Sequence, residues 1–121
     1  MPGTATQRRD DRDDVSPALD AVMAALEANR DDERLLVRRV RDLREARATG
    51  LPWRDVLARE RHPGVFELVG RIQTRFTTGT GALRRALARE LRAEGAPITA
   101  IAERFGVSHQ RVSRLLKRAK D

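Results

Sequence analysis

Apolar residues recur along most of this chain at i, i+3, i+4 and i+7, the spacing of one face of an α-helix. The first such stripe predicts a short amphipathic helix over residues 16–30, which the Ser16-Pro17 pair would begin. Its apolar members are Leu19, Val22, Met23 and Leu26. A helix this short is marginal alone, so we expect it to pack on the rest of the chain or on a second copy.

A second helix is predicted from Asp31 or Asp32, either of which can cap it, to about Ala48. Its buried side would include Leu36, Val40 and Leu43. Gly50-Leu51-Pro52-Trp53 ends this helix and begins a third one, which runs to about Arg61.

A fourth helix is predicted over residues 64–76, where one apolar stripe is formed by Val65, Leu68, Val69, Ile72 and Phe76. Its exposed face is expected to carry Glu67, Gly70, Arg71, Thr74 and Arg75. The run from Thr77 to Gly81 holds two glycines and three threonines, which predicts a flexible joint. A phosphate-cradling loop is the alternative, but no GK[ST] sequence follows. After the joint, a helix with an apolar face is predicted to end at Gly95 and Pro97; that face holds Leu83, Ala86, Leu87 and Leu91.

Residues 47–58 (RATGLPWRDVLA) align without gaps on residues 92–103 (RAEGAPITAIAE), an offset of 45 positions. This internal repeat predicts an all-α fold with two small trihelical, helix-turn-helix-like units, residues 31–78 and 79–121. The helix 16–30 and a disordered tail, residues 1–15, would precede them. The first unit has no counterpart of Phe105-Gly106-Val107 and reads as a degenerate copy. Packing, dimerisation or secondary phosphate contact are its candidate roles.

The segment from Ile98 to Lys117 combines packing, turn chemistry and charge. Its first helix presents Ile98, Ile101, Ala102 and Phe105 on one face. Gly106 follows where a tight turn needs positive φ, Val107 returns inward, and Ser108 can cap the next helix. On that helix one face holds Val112, Leu115, Leu116 and Ala119, and the opposite face holds Gln110, Ser113, Arg114 and Lys117.

This segment resembles the helix-turn-helix of the homeodomain-like trihelical class, as found in bacterial transcription regulators, resolvase tails and sigma-factor promoter-binding regions. The resemblance implies a motif core of Ile101, Ala102, Phe105, Gly106, Val107, Val112 and Leu115. It also implies that helix 108–119 enters the major groove of double-stranded DNA. The residues placed to read bases would be His109, Gln110, Ser113 and Arg114. Those suited to phosphate contact are Thr99, Arg104, Ser108, Arg111, Lys117 and Arg118. A plain helical hairpin with a basic solvated face is the alternative.

Charge supports a nucleic-acid partner. The formal net charge is +7, and residues 82–121 hold ten basic against four acidic side chains. Basic excess around the motif suits phosphate neutralisation, which supplies much of the affinity for nucleic acid. Only three Phe, one Trp and no Tyr are present, so the core must be built from Leu, Val, Ile and Ala, a composition that favours helices.

Other chemistries find little support. There are no cysteines, and the two histidines, His62 and His109, offer no metal spacing. No convergent carboxylate pair can be argued. We therefore predict no enzyme activity, no cofactor, no metal, no evident small-molecule ligand and no membrane partner, in a cytoplasmic, nucleoid-associated protein.

Three functions remain open. The first is a sequence-specific transcription regulator, and the second is a low-specificity chromosome-organising protein. The third is a protein-interaction adaptor of the sigma-like or antitoxin type. A single unit of this size binds DNA modestly, so a homodimer on a two-fold site is expected, with residues 17–29 and the first unit as candidate dimer surfaces.

Overall fold

The computed structural model of the protein describes residues 13–120, with side chains through Lys117. The predicted all-α class is confirmed, because the described residues form five helices and no strand. The helices are α1 (Val15–Ala48), α2 (Trp53–Ala58), α3 (Val65–Ala93), α4 (Ile98–Phe105) and α5 (His109–Lys120). The predicted tail lies outside the described residues except for its last three positions. None of the described helices combines the length and apolar character needed to cross a membrane.

The chain divides into two compact units. The middle unit is Ala24–Thr77, and the flanking unit comprises the described residues on either side of it. Both α1 and α3 cross a unit boundary, so neither boundary coincides with a loop.

Helix α1 begins earlier than Ser16-Pro17 predicts. The Asp13 carboxylate accepts hydrogen bonds from the Val15 amide at 2.8 Å and from the Ser16 hydroxyl at 2.6 Å. The bond from Ser16 and the bond from Val15 together hold the pKa of Asp13 below its usual value. Ser16 is therefore inside the first turn, and an aspartate satisfies the amides at its start.

The break predicted near Asn29 and at Asp31 or Asp32 is wrong, because α1 is continuous through these positions. Asn29 and Asp32 are buried and bind side chains of α3 rather than capping a helix end. Arg71 donates to the Asp32 carboxylate at 2.6 and 3.2 Å, and Arg75 donates to it at 3.0 Å and to the side-chain Oδ1 of Asn29 at 2.7 Å. The side-chain Nδ2 of Asn29 donates to the backbone carbonyl of Ile72 at 3.2 Å.

The exposed face predicted for the helix 64–76 is largely confirmed, because Glu67, Gly70, Arg71 and Thr74 are exposed and Arg75 is half-buried, but its two arginines are held by Asp32. Both guanidiniums are ion-paired with Asp32, which is only 8% exposed. The bonds from Arg71 and then Arg75 hold the pKa of Asp32 below its usual value, and Asp32 in turn raises that of Arg71. Asp32 thus binds two arginines of the middle unit and offsets one of their two positive charges.

The large apolar side chains predicted to be buried on α1 lie mostly at the surface. Leu19, Met23, Leu26 and Val40 are each more than 40% exposed. The positions that α1 buries instead are small or polar, namely Ala18, Ala25, Asn29 and Asp32. The helix therefore carries two stripes, and the smaller one packs.

The joint predicted at Thr77–Gly81 is also wrong, since α3 runs unbroken through it. A glycine inside a helix costs only about 1 kcal/mol relative to alanine, which packing along a long amphipathic helix can offset. Gly79 is buried, as expected of a residue inside a packed helix.

The core of the middle unit includes Val56 of α2 and Leu68 of α3, each no more than 1% exposed. Helix α2 stops at Ala58, short of the predicted Arg61. Between the two helices the Glu60 carboxylate accepts the Val65 amide at 3.0 Å, satisfying the start of α3. Glu60 also lies where a Cβ on Gly64 would be, which accounts for the glycine.

Candidate nucleic-acid interface

The turn after α4 is closed by two backbone hydrogen bonds. Gly106 has φ 66° and ψ 35°, a left-handed conformation that L residues with a side chain rarely adopt. The Gly106 amide donates to the Glu103 carbonyl at 3.3 Å, and the Val107 amide donates to the Ala102 carbonyl at 3.0 Å. This pair of bonds is a Schellman C-cap. It ends α4 within one residue and redirects the chain into α5.

Ser108 satisfies the start of α5. Its Oγ accepts the Arg111 amide at 3.1 Å, and its carbonyl accepts the Val112 amide at 3.2 Å. This is N-cap geometry. Because the hydroxyl acts as acceptor in the cap, its proton is still available to donate to a ligand such as a phosphate.

A small apolar core holds α4 and α5 together. Its buried members come from the end of α3, from α4 and from α5: Ala88, Ile101, Ala102, Val112 and Leu115. Half-buried side chains pack around them: Leu91, Ala96, Ile98, Phe105, Val107 and Leu116. All the apolar residues of the sequence-predicted motif core belong to one of these two groups. Alanine at position 102 lets the helices approach closely.

The face of α5 opposite this core is exposed. It presents Gln110, Ser113, Arg114 and Lys117, with His109 and Arg111 at its two edges and also exposed. The four side chains predicted to read bases therefore lie together on the outer surface of the N-terminal half of α5. Their amide, hydroxyl, imidazole and guanidinium groups can all hydrogen-bond base edges.

The candidate phosphate contacts surround that face. Thr99 and Arg104 are exposed on α4, and Ser108, Arg111 and Lys117 are exposed at or on α5. Arg104 borders a shallow depression with Ala100 and Glu103. The side chain of Arg118 lies outside the described residues.

Four cations on α4 and α5 form no ion pair with any of the described side chains. Within the part of the chain whose side chains the structure describes, none of Arg104, Arg111, Arg114 and Lys117 forms an ion pair. Elsewhere in the flanking unit, Arg89 binds the Asp14 carboxylate at 3.2 Å. Helix α5 has three Arg, two Lys and no acidic residue, so its outer face is a concentrated positive surface.

A recognisable motif is formed by the end of α3, α4 and α5. A left-handed glycine turn joins α4 to α5, and α5 is exposed and basic. Residues 80–121 match the family described as the homeodomain-like domain. These residues form a homeodomain-like helix-turn-helix domain. The matched range takes in the last part of α3 together with α4 and α5. The class binds DNA, and the chain is accordingly a helix-turn-helix DNA-binding protein. No curated protein and no solved structure matches the chain.

The residues that lead into α4 of the homeodomain-like domain have counterparts 45 positions earlier, in the middle unit. Three local features recur: a glycine with φ near 95°, an extended proline before the next helix, and an arginine that donates to a carbonyl four residues later. The pairs are Gly50 and Gly95, Pro52 and Pro97, and Arg47 and Arg92. The internal repeat is therefore present in the local geometry.

After this point the middle unit departs from the homeodomain-like domain. Helix α2 ends at Ala58, and the C-cap residue that follows, Arg59, has φ −95°, so there is no left-handed glycine turn here. The helix that follows, the first part of α3, pairs its Arg71 and Arg75 with Asp32, whereas α5 leaves its cations free of carboxylates among the described side chains. No group of three His, Asp or Glu that could hold a metal ion occurs among the described residues.

Proposed function

We propose that this protein is a sequence-specific transcription regulator that reads the DNA major groove with helix α5. The observation that carries the proposal is the outer face of α5, which is exposed and basic, forms no ion pair among the described side chains, and is fixed on a core by a tight turn. In helix-turn-helix proteins the N-terminal residues of the second helix lie deepest in the groove. His109, Gln110, Ser113 and Arg114 are the side chains that would meet base edges.

Two of these residues have specific partners. A glutamine amide can bond both N6 and N7 of adenine, and an arginine can bond O6 and N7 of guanine. We assign these roles to Gln110 and Arg114. Each such contact is worth about 1 to 3 kcal/mol of discrimination against the wrong base.

The phosphate contacts would position the domain without reading sequence. Arg104, Arg111, Lys117 and Arg118 are the cations for this role, with Thr99 and Ser108 as hydroxyl donors. Thr99 lies in the first turn of α4, where unsatisfied amides favour an anionic ligand.

A low-specificity, chromosome-organising protein is the second candidate. The spread of arginine over both units favours it. Against it, Asp32 binds both Arg71 and Arg75 of the middle unit and offsets one of their two positive charges, which weakens that unit as a second phosphate-binding surface. A sigma-like or antitoxin-type adaptor, which would hold a protein instead of DNA, is the third candidate.

We further propose that the protein acts as a homodimer on a two-fold DNA site, in the cytoplasm and on the nucleoid, without enzyme activity. A homodimer would present two copies of α5 and so increase both affinity and the length of sequence read.

The test compares Arg114→Ala with Lys117→Ala on two duplexes: one selected from a random DNA pool by the wild-type protein, and one of random sequence. Arg114→Ala should lose about 1 to 3 kcal/mol on the selected duplex and relax base preference at one position. Lys117→Ala should weaken both duplexes about equally. Arg38→Ala removes one exposed cation from α1 and is the matched control.

Three outcomes would count against the regulator. Equal effects of the Arg114 and Lys117 changes on every duplex would exclude direct readout by α5. A wild-type preference well below about a thousandfold would favour the chromosome-organising role. Absence of salt-dependent DNA binding would favour the adaptor.

A further inference from the structure

The middle unit has a second stripe on α1 that its own core does not use. The α1 stripe, as we name it, consists of Leu26, Arg30, Glu33 and Val37. Leu26 is 44% exposed and Val37 is 48% exposed, and both charged residues are exposed. Each member directly follows a residue that packs or is half-buried: Ala25, Asn29, Asp32 and Leu36. One residue corresponds to about 100° around a helix, so the stripe is a separate face.

A groove runs beside this face, between α1 and α3 of the middle unit. It has a volume of about 450 Å³, and Leu26, Arg30 and Glu33 line its α1 side. Ile72, Gln73 and Phe76 line its α3 side. The groove is therefore apolar at Leu26, Ile72 and Phe76 and carries one positive and one negative group along one wall.

The order of residues in the α1 stripe is symmetric. Read in either direction, the spacings are four, three and four, with an apolar residue at each end and one charge of each sign between them. An antiparallel second copy with its two-fold axis between positions 30 and 33 would place Leu26 against Val37 of that copy. The same register would place Arg30 against Glu33, twice. A parallel copy in register would instead set Arg30 against Arg30 and Glu33 against Glu33, which is repulsive.

We propose that a second copy of this chain docks on the α1 stripe in this antiparallel register. A two-fold interface must be complementary to itself, and the stripe satisfies this in both spacing and charge. The spacing of four and three is also the one at which facing helices interdigitate their side chains. The interface deepens the homodimer of the proposed function, but it uses no residue of α5.

Charge reversal tests the register directly. Arg30→Glu alone would face Glu33 of the second copy, and Glu33→Arg alone would face Arg30, so each should weaken dimerisation by about tenfold or more. The double variant Arg30→Glu with Glu33→Arg restores the pairing and should dimerise nearly as well as wild type. Arg38→Glu makes the same charge change on another face of α1 and should have no effect. Sedimentation equilibrium of the full chain gives the dissociation constants, and far-UV circular dichroism checks that each variant is folded.

A second measurement is independent of charge. The chain has no cysteine, so single thiols can be introduced cleanly. In the proposed register, Arg30→Cys mixed with Glu33→Cys should form the mixed disulfide faster than either variant pairs with itself. A parallel interface would favour the two self-pairings.

The proposal is overturned if the wild type is a monomer at tens of micromolar, if folded Arg30→Glu dimerises as well as wild type, or if the double variant does not recover. A preference for self-paired disulfides would overturn the antiparallel register. Binding of a DNA half-site by the monomeric single variants is measured in parallel. Loss of dimerisation with retained half-site binding would leave the DNA-binding proposal standing. Dimerisation without any DNA binding would instead leave the dimer interface standing and count against the DNA-binding proposal.

Discussion

Replacing Gly106 by alanine tests whether the backbone turn defines the DNA-binding motif. The residue has φ 66°, and no heavy atom lies within 4 Å of the position that a Cβ would take, so the cost is one of backbone conformation alone. Left-handed backbone costs a residue with a side chain about 1 to 2 kcal/mol. Alanine also restricts the unfolded chain more than glycine does, which offsets this cost by about 0.4 to 1 kcal/mol. We therefore expect Gly106→Ala to destabilise the flanking unit by about 1 kcal/mol.

Gly81→Ala in the same unit is the matched control. Gly81 lies inside α3, and the nearest atom to its added Cβ is the end of the Arg85 side chain at 3.5 Å, an ordinary contact. Alanine in a helix interior should stabilise by about 0.5 to 1 kcal/mol. The same substitution thus has opposite signs at the two sites.

Urea unfolding of both variants, followed by circular dichroism at 222 nm, measures the two free energies with their slopes. A stabilising or neutral Gly106→Ala would refute the assignment of the turn. A destabilising Gly81→Ala would refute the continuity of α3 through this position.

Three further substitutions test the packing and the caps. Asp32→Asn should lower the free energy of unfolding by about 1 to 2 kcal/mol at neutral pH, discounted because both arginine partners are partly exposed. Since the folded pKa of Asp32 lies below its unfolded value, this contribution should be constant above about pH 5 and disappear as the pH falls below about 4. Urea titrations of wild type and variant should then converge in acid. A difference in the free energy of unfolding that persists there would contradict the ion-pair account. Val112→Ala, at a fully buried site, should lower the free energy of unfolding by about 2 to 3 kcal/mol, measured by heat or urea. The loss comes from two buried carbons that no longer leave water on folding and from the cavity that remains. A loss near zero would contradict the described core. Ser108→Ala should cost about 1 kcal/mol because the cap is removed, whereas Ser113→Ala, in mid-helix and exposed, should be nearly neutral; equal effects on the urea midpoint would argue against the cap.

The helix-turn-helix could be predicted because the residues that determine it are adjacent in the sequence. An apolar stripe, a glycine, an inward valine and a capping serine occupy eleven consecutive positions, Ile98–Ser108. Each acts on backbone within a few residues of itself. Local chemistry and local structure therefore agree there, and the family match covers the same segment.

The two helix breaks could not be judged from local signals. Asn29 and Asp32 are good capping residues, but their partners Arg71 and Arg75 are about forty positions away in the chain. A cap and a buried ion pair use the same functional groups, so only the tertiary partner decides between them. At Thr77–Gly81, low helix propensity was outweighed by the packing of a long helix.

The exposed stripe of α1 shows a different limit. Helical spacing identifies an apolar face but does not say what covers it. Helix α1 has two faces that could pack. The face with alanines, Asn29 and Asp32 packs within the chain, because Asn29 and Asp32 bind the arginines of α3. The larger side chains are left exposed. The roles of the individual residues of α5 stay predictions. The domain boundaries predicted from the sequence also stay predictions.

The central claim is that the outer face of α5 contacts DNA through its exposed cations. It is tested most directly by the salt dependence of DNA binding, measured by fluorescence anisotropy with the full chain and with the double variant Arg111→Ala and Lys117→Ala. Arg38→Ala again serves as the control for a removed positive charge. The logarithm of the binding constant should fall linearly with the logarithm of salt concentration. Its slope should be smaller in magnitude by about 0.9 for each phosphate that is no longer neutralised, or about 1.8 in the double variant. A folded double variant with the wild-type slope and affinity would contradict the claim.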